Sequence, residues 1–439
     1  MRVSTLLFSV VVFADMAHGQ CECWIEPDTS YTTIGYNDWY VPSNVFGAIA
    51  QDDGCYGPIV LPFEFQFLGQ VTDSIFINTN GALSVDNPWV SFNPTGFPSS
   101  DVSIIAPFWA DVDLRGSCSD CNRVSYRLTT TALYVSWHRV GYWSFHTNPL
   151  NSFQVIITDG TDPVLPDGNN VGFCYGDMGW ATGDSNGGEY GVGGIPATVG
   201  ANRALEPTAL YTQVGRFDQW GTDYAGPYGG ASGISWLDSA HFVFSTADTS
   251  GVPPVFAWQF DCDTIVVQVG GELEYEMMVL AGGPGQVASV LSACTTLASY
   301  TELANVEGAQ AMVTSYMAPD EGDIGFHNVT YVAYNDVETP TSSSGTLVVQ
   351  VVPAQTTGVS ERSDVPLFIV PNPVTDVLRF TLGQDPQVHA VEVLNMCGRV
   401  LRYRSFAGGS NAGTIDVHDL ARGTYLLRTG VSVRRFVKE

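Results

Sequence analysis

Three features of the sequence predict an all-β protein made of several antiparallel sandwiches. Apolar and polar residues alternate with period two, helical periodicity is nearly absent, and 46 Gly and 24 Pro punctuate the chain. Phe63, Phe65 and Phe67 alternate with Glu64 and Gln66, and Val124, Tyr126 and Leu128 with Ser125 and Arg127. Leu133, Val135 and Trp137 follow the same rule, as do Phe153, Val155 and Ile157. Asn80-Gly81 and Asp159-Gly160 are tight-hairpin signals, because Asn, Asp and Gly tolerate positive φ. With 439 residues, the chain is too long for one ordinary core, and two or three domains are expected.

Arg2, the apolar stretch Leu6 to Ala14 and the small residues of Ala17-His18-Gly19 read as a secretory signal peptide over residues 1–19. Cys21 follows Gly19-Gln20, which lacks the small residue expected next to a lipidated Cys. No other segment is apolar over the roughly 20 residues needed to span a bilayer, so no transmembrane segment is expected.

Formal charge is −28 and unevenly spread. Residues 20–251 carry 6 Arg against 24 acids, residues 252–360 no Lys or Arg against 12 acids, and residues 361–439 carry 10 basic residues against 8 acids. The mildly basic tail is thereby marked as a separate unit. The acidic remainder argues against nucleic acid, whose phosphates need a basic face. Six cysteines fall in the first region (Cys21, Cys23, Cys55, Cys118, Cys121, Cys174), two in the second (Cys262, Cys294) and one in the tail (Cys397). Even numbers in an exported chain suggest disulfides, with Cys118–Cys121 a bridge in a loop and Cys262–Cys294 a second pair. A redox or zinc role for Cys118 and Cys121 lacks the βαβ context or the second ligand pair it would need.

Four stretches of the first region resemble the NIDO domain of nidogen, alpha-tectorin and some mucins. They are Leu61–Gly69, the Ile77-Asn78-Thr79-Asn80-Gly81 turn, Ile105–Asp113 around Phe108-Trp109-Ala110-Asp111, and Asn151–Gly160 around Asn151-x-Phe153-Gln154. The resemblance implies an extracellular module in the company of adhesion and matrix proteins. From Val252 the rhythm changes, with strands expected near 264–269, 273–280, 287–292, 327–335 and 346–352 and a short helix conceivable in 300–310. This stretch loosely resembles cadherin-like and PKD-like repeats, implying an immunoglobulin-like sandwich.

The last region carries Pro371-Asn372-Pro373, a central Gly398-Arg399, Gly423-Thr424-Tyr425 and a basic end at Lys438. In this order it resembles the type A C-terminal sorting domain of the bacterial type IX secretion system. That resemblance implies recognition by the secretion machinery, export across two membranes and placement on the outer surface. The organisation expected is therefore a signal peptide (1–19), a NIDO-like domain (20–251), an immunoglobulin-like sandwich (252–353), a linker (354–366) and a small sorting domain (367–439).

For chemistry, Asp111 and Asp113 flank Val112 and could converge on a calcium ion, helped by Asp159, Asp177 or main-chain carbonyls, since Ca²⁺ takes six to eight oxygens. Equally, they could cap a turn or pair with Arg115 or Arg127. Gly183-Asp184-Ser185-Asn186-Gly187 fits G-x-S-x-G, but the glycine-rich run after it cannot form the helix a nucleophile elbow requires. Neither His138 nor His146 has a supporting motif, so no catalytic residue is assigned and no enzyme expected. No cofactor other than possible calcium is indicated. Trp109 and Trp137 are expected in the core, whereas Tyr142, Trp143 and Phe145 could be exposed for glycan stacking. The function expected is a secreted, surface-attached adhesion or matrix-interaction protein with an extracellular protein or glycan partner. The alternative is a secreted glycan-binding or hydrolytic accessory protein.

Overall fold

The structure, a computed structural model, describes residues 24–165, 167–205, 210–247, 252–258, 264–338, 340–354, 367–369, 372–382, 390–395, 400–405, 412–420, 423–429 and 433–438. The expected signal peptide, Cys21, Cys23, Cys262 and Cys397 lie outside these residues, as do Pro371, Gly398 and Arg399 of the sorting motif. Two compact units are present, 1–353 and 354–439.

Strand follows strand throughout, as the period-two pattern requires. In the first unit a seven-stranded sheet runs, in spatial order, Ser232–Gly233, Leu210–Gln219, Ala197–Arg203, Ile104–Trp109, Ala82–Val85, Gln70–Asn78 and Cys55–Phe67. A longer sheet packs one face on it: Thr32–Thr33, Arg123–Leu128, Ala132–Tyr142, His146–Thr158, Val171–Met178 and His241–Phe244. Between them lie Phe65, Phe67, Phe108, Trp137, Phe153, Phe173, Trp180 and Phe242, all fully buried. These are the inward residues of the alternating runs, and burial of so much aromatic surface is the main stabilising term.

The longer sheet does not stop where the first domain was expected to end. His241–Phe244 pairs with Val255–Trp258, which pairs with Leu273–Leu280, and the sheet continues through Gln310–Met317 to Thr301–Val306. The expected boundary at 251/252 thus falls inside one continuous sheet. A four-stranded sheet (Thr264–Gln268, Ser342–Val352, Gly325–Asn335, Ala288–Ala293) covers the opposite face of this extension. The second core joins Val290, Val329, Tyr331, Leu347 and Val349 to Met277, Val279, Val313, Ile156, Val243 and Phe256. The stretch 300–310 is a strand rather than a helix, and all six residues of Thr301–Val306 are exposed. Among the described strands pairing is mostly antiparallel, but Thr264–Gln268 runs parallel to Ser342–Val352 and Leu210–Gln219 to Ser232–Gly233.

Cys118 and Cys121 are bridged, as expected, and Cys174 is also disulfide-bonded. Cys294 is a free thiol, its Sγ 3.9 Å from Thr296 Oγ1, and the partner expected for it, Cys262, lies outside the described residues.

The second unit sets Leu367–Ile369, Val377–Leu382 and Ala412–Asp416 in one sheet and Val400–Ser405, Ala390–Leu394, Gly423–Thr429 and Val433–Lys438 in another. Its small core includes Leu378, Phe380, Val391, Ile415, Leu427 and Phe436.

Candidate functional site

The motif residues of the first unit act first as fasteners. Asn80 takes a positive-φ glycine after it, and a Cβ on Gly81 (φ +74°) would lie 2.0 Å from Phe108 O. Asn80 Oδ1 accepts from Val112 N at 2.9 Å, while its Nδ2 donates to Asp53 Oδ1 at 2.9 Å. Asn151 Oδ1 accepts from Gly179 N and Trp180 N, and its Nδ2 donates to Trp180 O at 2.8 Å. Gln154 Oε1 accepts from Ile25 N at 3.0 Å, clamping the incoming segment. Trp109 and Trp137 are core, and Trp137 Nε1 donates to Asn78 O and Thr79 O.

These fasteners bring Asp52, Asp53, Asp111, Asp113 and Asp184 into one acidic nest. Asp113 is fully buried and belongs to Arg115: Nε donates to Oδ1 at 2.7 Å and Nη2 to Oδ2 at 2.6 Å. The main-chain N–H groups of Arg115 and Phe145 also donate to it, each at 2.9 Å. Arg115 reaches Asp52 Oδ2 at 3.1 Å and is clasped by the rings of Trp143 (4.7 Å) and Phe145 (4.4 Å). Asp113 therefore takes the pairing role, with Arg115 and not with Arg127, whose guanidinium lies over Tyr134 and Tyr31. Of the three aromatics that could be exposed, Tyr142 is buried, Trp143 is half-buried and Phe145 is exposed, and the Trp143 and Phe145 rings hold Arg115.

Asp111 is the residue left unsatisfied. It is 2% exposed, and its Oδ2 is buried without a hydrogen-bond partner, as is Asp52 Oδ1. Burial, then the charges of Asp52, Asp53, Asp113 and Asp184, pushes the Asp111 carboxyl up to about 8. Burial and the charges of Asp53 and Asp113 push Asp52 up to about 8 against the pull of Arg115. Asp159, expected to help, is engaged in its own turn with Thr161, and Asp177 acts on Asp238 instead. Among the described residues no group of three or more His, Cys, Asp or Glu is arranged to hold a metal ion. Asp52, Asp53 and Asp184 escaped the sequence reading. The consecutive Asp52-Asp53 before a glycine was their only local signal.

Ser185 lies in a single 3-10 turn, Asp184–Asn186, with no helix after it. His146 Nε2 pairs with Asp184 Oδ2 at 2.8 Å.

In the tail, Asn372 Oδ1 accepts from Val437 N at 2.9 Å, and Val374 N donates to Val437 O at 2.7 Å. Gly423 pairs with Lys438, and the buried Tyr425 stacks on Phe436 at 5.7 Å. The Pro-Asn-Pro opener and the Gly-x-Tyr strand thus both close on the last strand.

Comparison with known families matches residues 28–216 to the model described as NIDO related and residues 368–438 to the secretion system C-terminal sorting domain. The chain carries a NIDO-related domain and a type IX sorting domain. Alpha-tectorin of Mus musculus is 30% identical over 177 residues, 34% of this chain and 8% of that protein. Alpha-tectorin of Gallus gallus is 29% identical over the same length. The chain spans less than a tenth of the length of these curated relatives. Among solved structures, the Ig1-2 module of Drosophila receptor protein tyrosine phosphatase DLAR matches at 13% identity, covering 40% of this chain and 92% of that one with TM-score 0.16. An endo-fucoidan hydrolase of glycoside hydrolase family 107 matches at 13% identity, covering 48% and 34%, with TM-score 0.16. Neither likeness bears on function at those scores.

The sorting domain marks this NIDO-related protein for the type IX machinery and places it outside the cell, secreted or on the outer-membrane surface. No helix among the described residues is long and apolar enough to cross a membrane.

Proposed function

We propose that this NIDO-related protein is an adhesion or matrix-interaction protein without catalytic activity, working on the surface of the cell that exports it. The presence of a NIDO-related domain and a sorting domain on one chain carries this reading. The local structure around Ser185 supports the non-catalytic part, because a single 3-10 turn without a following helix is not a nucleophile elbow. The test is attachment of cells, with and without the protein, to panels of matrix proteins and immobilised glycans, alongside binding by the purified secreted protein. Cells lacking the protein are expected to lose attachment. Equal attachment by both strains, or turnover of a substrate by the purified protein, would overturn it.

We infer that calcium, where it binds, centres on Asp111 and not on Asp113, whose oxygens are taken by Arg115 and two main-chain N–H groups. The unpartnered Asp111 Oδ2 supports this reading. With no three acidic side chains closed on one point among the described residues, main-chain oxygens would supply most of the coordination.

A further inference from the structure

A cleft of about 350 Å³ opens beside the seven-stranded sheet, along its edge strand Cys55–Phe67. Its walls are Asp38 and Tyr40 on the incoming segment, Tyr56 to Val60 on the edge strand, and Tyr126 and Leu128 on the neighbouring sheet. The volume falls at the lower end of the range of about 300–1,000 Å³ typical of small-ligand sites.

The edge strand is interrupted here. Its register with the next strand runs Tyr56↔Ile77 and then Ile59↔Ile75, so Gly57 and Pro58 bulge out of the ladder. Gly57 sits at φ +137°, and a Cβ there would be 2.9 Å from Ile75 O, so the bulge requires glycine. Bulges recur where a strand must re-aim a side chain beside a binding site. The residue re-aimed is Tyr56. Its hydroxyl meets that of Tyr126 at 3.2 Å, with the rings 5.6 Å apart and tilted by 41°, while Trp39 packs edge-on behind it. Asp38 Oδ2 accepts from Gly35 N at 2.9 Å, which fixes the carboxylate beside Tyr56.

We propose that this tyrosine cleft binds a neutral saccharide, with the Tyr56 and Tyr126 rings contacting the apolar face of a sugar and their hydroxyls and Asp38 taking its OH groups. This proposal rests on the adhesion reading and names its ligand class. Phenol rings beside a carboxylate offer the apolar face and the acceptors that a polyol needs. Asp38 is the one carboxylate lining the cleft among the described residues, which suits recognition and not the paired-carboxylate hydrolysis of glycosidic bonds. The chain's formal charge of −28 disfavours sulfated and uronic sugars.

The test uses the secreted protein against a panel of neutral oligosaccharides (β-glucan, mannan, galactan and chitin fragments), with heparin oligosaccharides and proline-rich peptides as controls. Titration calorimetry is expected to show binding to a neutral oligosaccharide. Tyr126→Ala and Asp38→Asn should each weaken it about tenfold or more, equivalent to about 1.4 kcal/mol. Because Tyr126→Ala could loosen the fold, Leu128→Glu, at a surface position 38% exposed, is the companion variant and should block the cleft with the melting temperature unchanged. Neutral-sugar binding that survives Leu128→Glu overturns the cleft while leaving adhesion intact. So does preference for heparin or for the peptides. Absence of any attachment phenotype overturns the adhesion reading itself.

Discussion

Arg115 grips Asp113 through two parallel hydrogen bonds, 2.7 and 2.6 Å long, with Asp113 fully buried and the guanidinium clasped by two aromatic rings. A fork of this kind satisfies both carboxylate oxygens at once, and removing one partner strands the other charge. Arg115→Ala should therefore destabilise the first unit by about 3–5 kcal/mol. Arg115→Lys should recover only part of this, because an ammonium cannot reproduce the planar fork. Denaturant titration of the three proteins checks both. An Arg115→Ala loss below about 1 kcal/mol, the range of exposed pairs, would contradict the reading.

The acidic nest also fixes a pH dependence. Asp52 and Asp111 are pushed up to about 8 in the folded protein, against 3.8 as the ordinary value. Between those limits the folded state holds protons that the unfolded chain has released, so stability falls as pH rises. Asp238, buried and pushed up to about 7, acts in the same direction. His241, pushed down to about 4 by burial, gives the opposite slope, but only below about pH 6.5, where the unfolded chain charges it. In the presence of a chelator the melting temperature should thus decline from pH 6.5 to 8.5. Calorimetry at constant ionic strength measures it, and a flat or rising profile would refute the assignment.

Asp111→Asn separates calcium from simple charge relief. Without calcium at pH 8, the substitution replaces a buried carboxylate that carries charge with a neutral amide and should stabilise the protein. A cation bound only to the folded state adds about 2.7 kcal/mol at a hundredfold excess over Kd. Millimolar calcium should raise the wild-type melting temperature by several degrees and leave Asp111→Asn nearly unmoved. If sodium chloride at equal ionic strength reproduces the whole rise, screening explains it.

The sorting domain should be separable from what precedes it. Deleting 368–439 is expected to leave the first unit folded and trapped in the periplasm. Tyr425→Ala, which removes a buried ring stacked on Phe436, should cost the tail about 3–5 kcal/mol and reduce display in the same way. Labelling of intact cells against fractionated periplasm checks both variants. Normal surface display of the truncated protein would disprove the tail's role.

What could be read from the sequence was whatever has a local period. The runs around Phe65, Trp137 and Phe153 alternate because one face meets a core, and they became strands with those residues inside. Thr301–Val306 is exposed on both faces, so it has no alternation to read. Val255–Trp258 directly follows Pro253-Pro254 and is too short to display a period. At the site, Asp111 and Asp113 were found as a pair but divided by Arg115, which takes one and leaves the other. Asp52 and Asp53 reach them only through Asn80 and Arg115, contacts that no sequence spacing reports.

Four residues, Val255–Trp258, serve two interiors at once. Val255 and Ala257 face the core shared by the two large sheets, while Phe256, between them, faces the core under the four-stranded sheet. Such a strand has no single owner. Any engineered exchange of the second half of the first unit must therefore carry residues 255–258 along and match both cores.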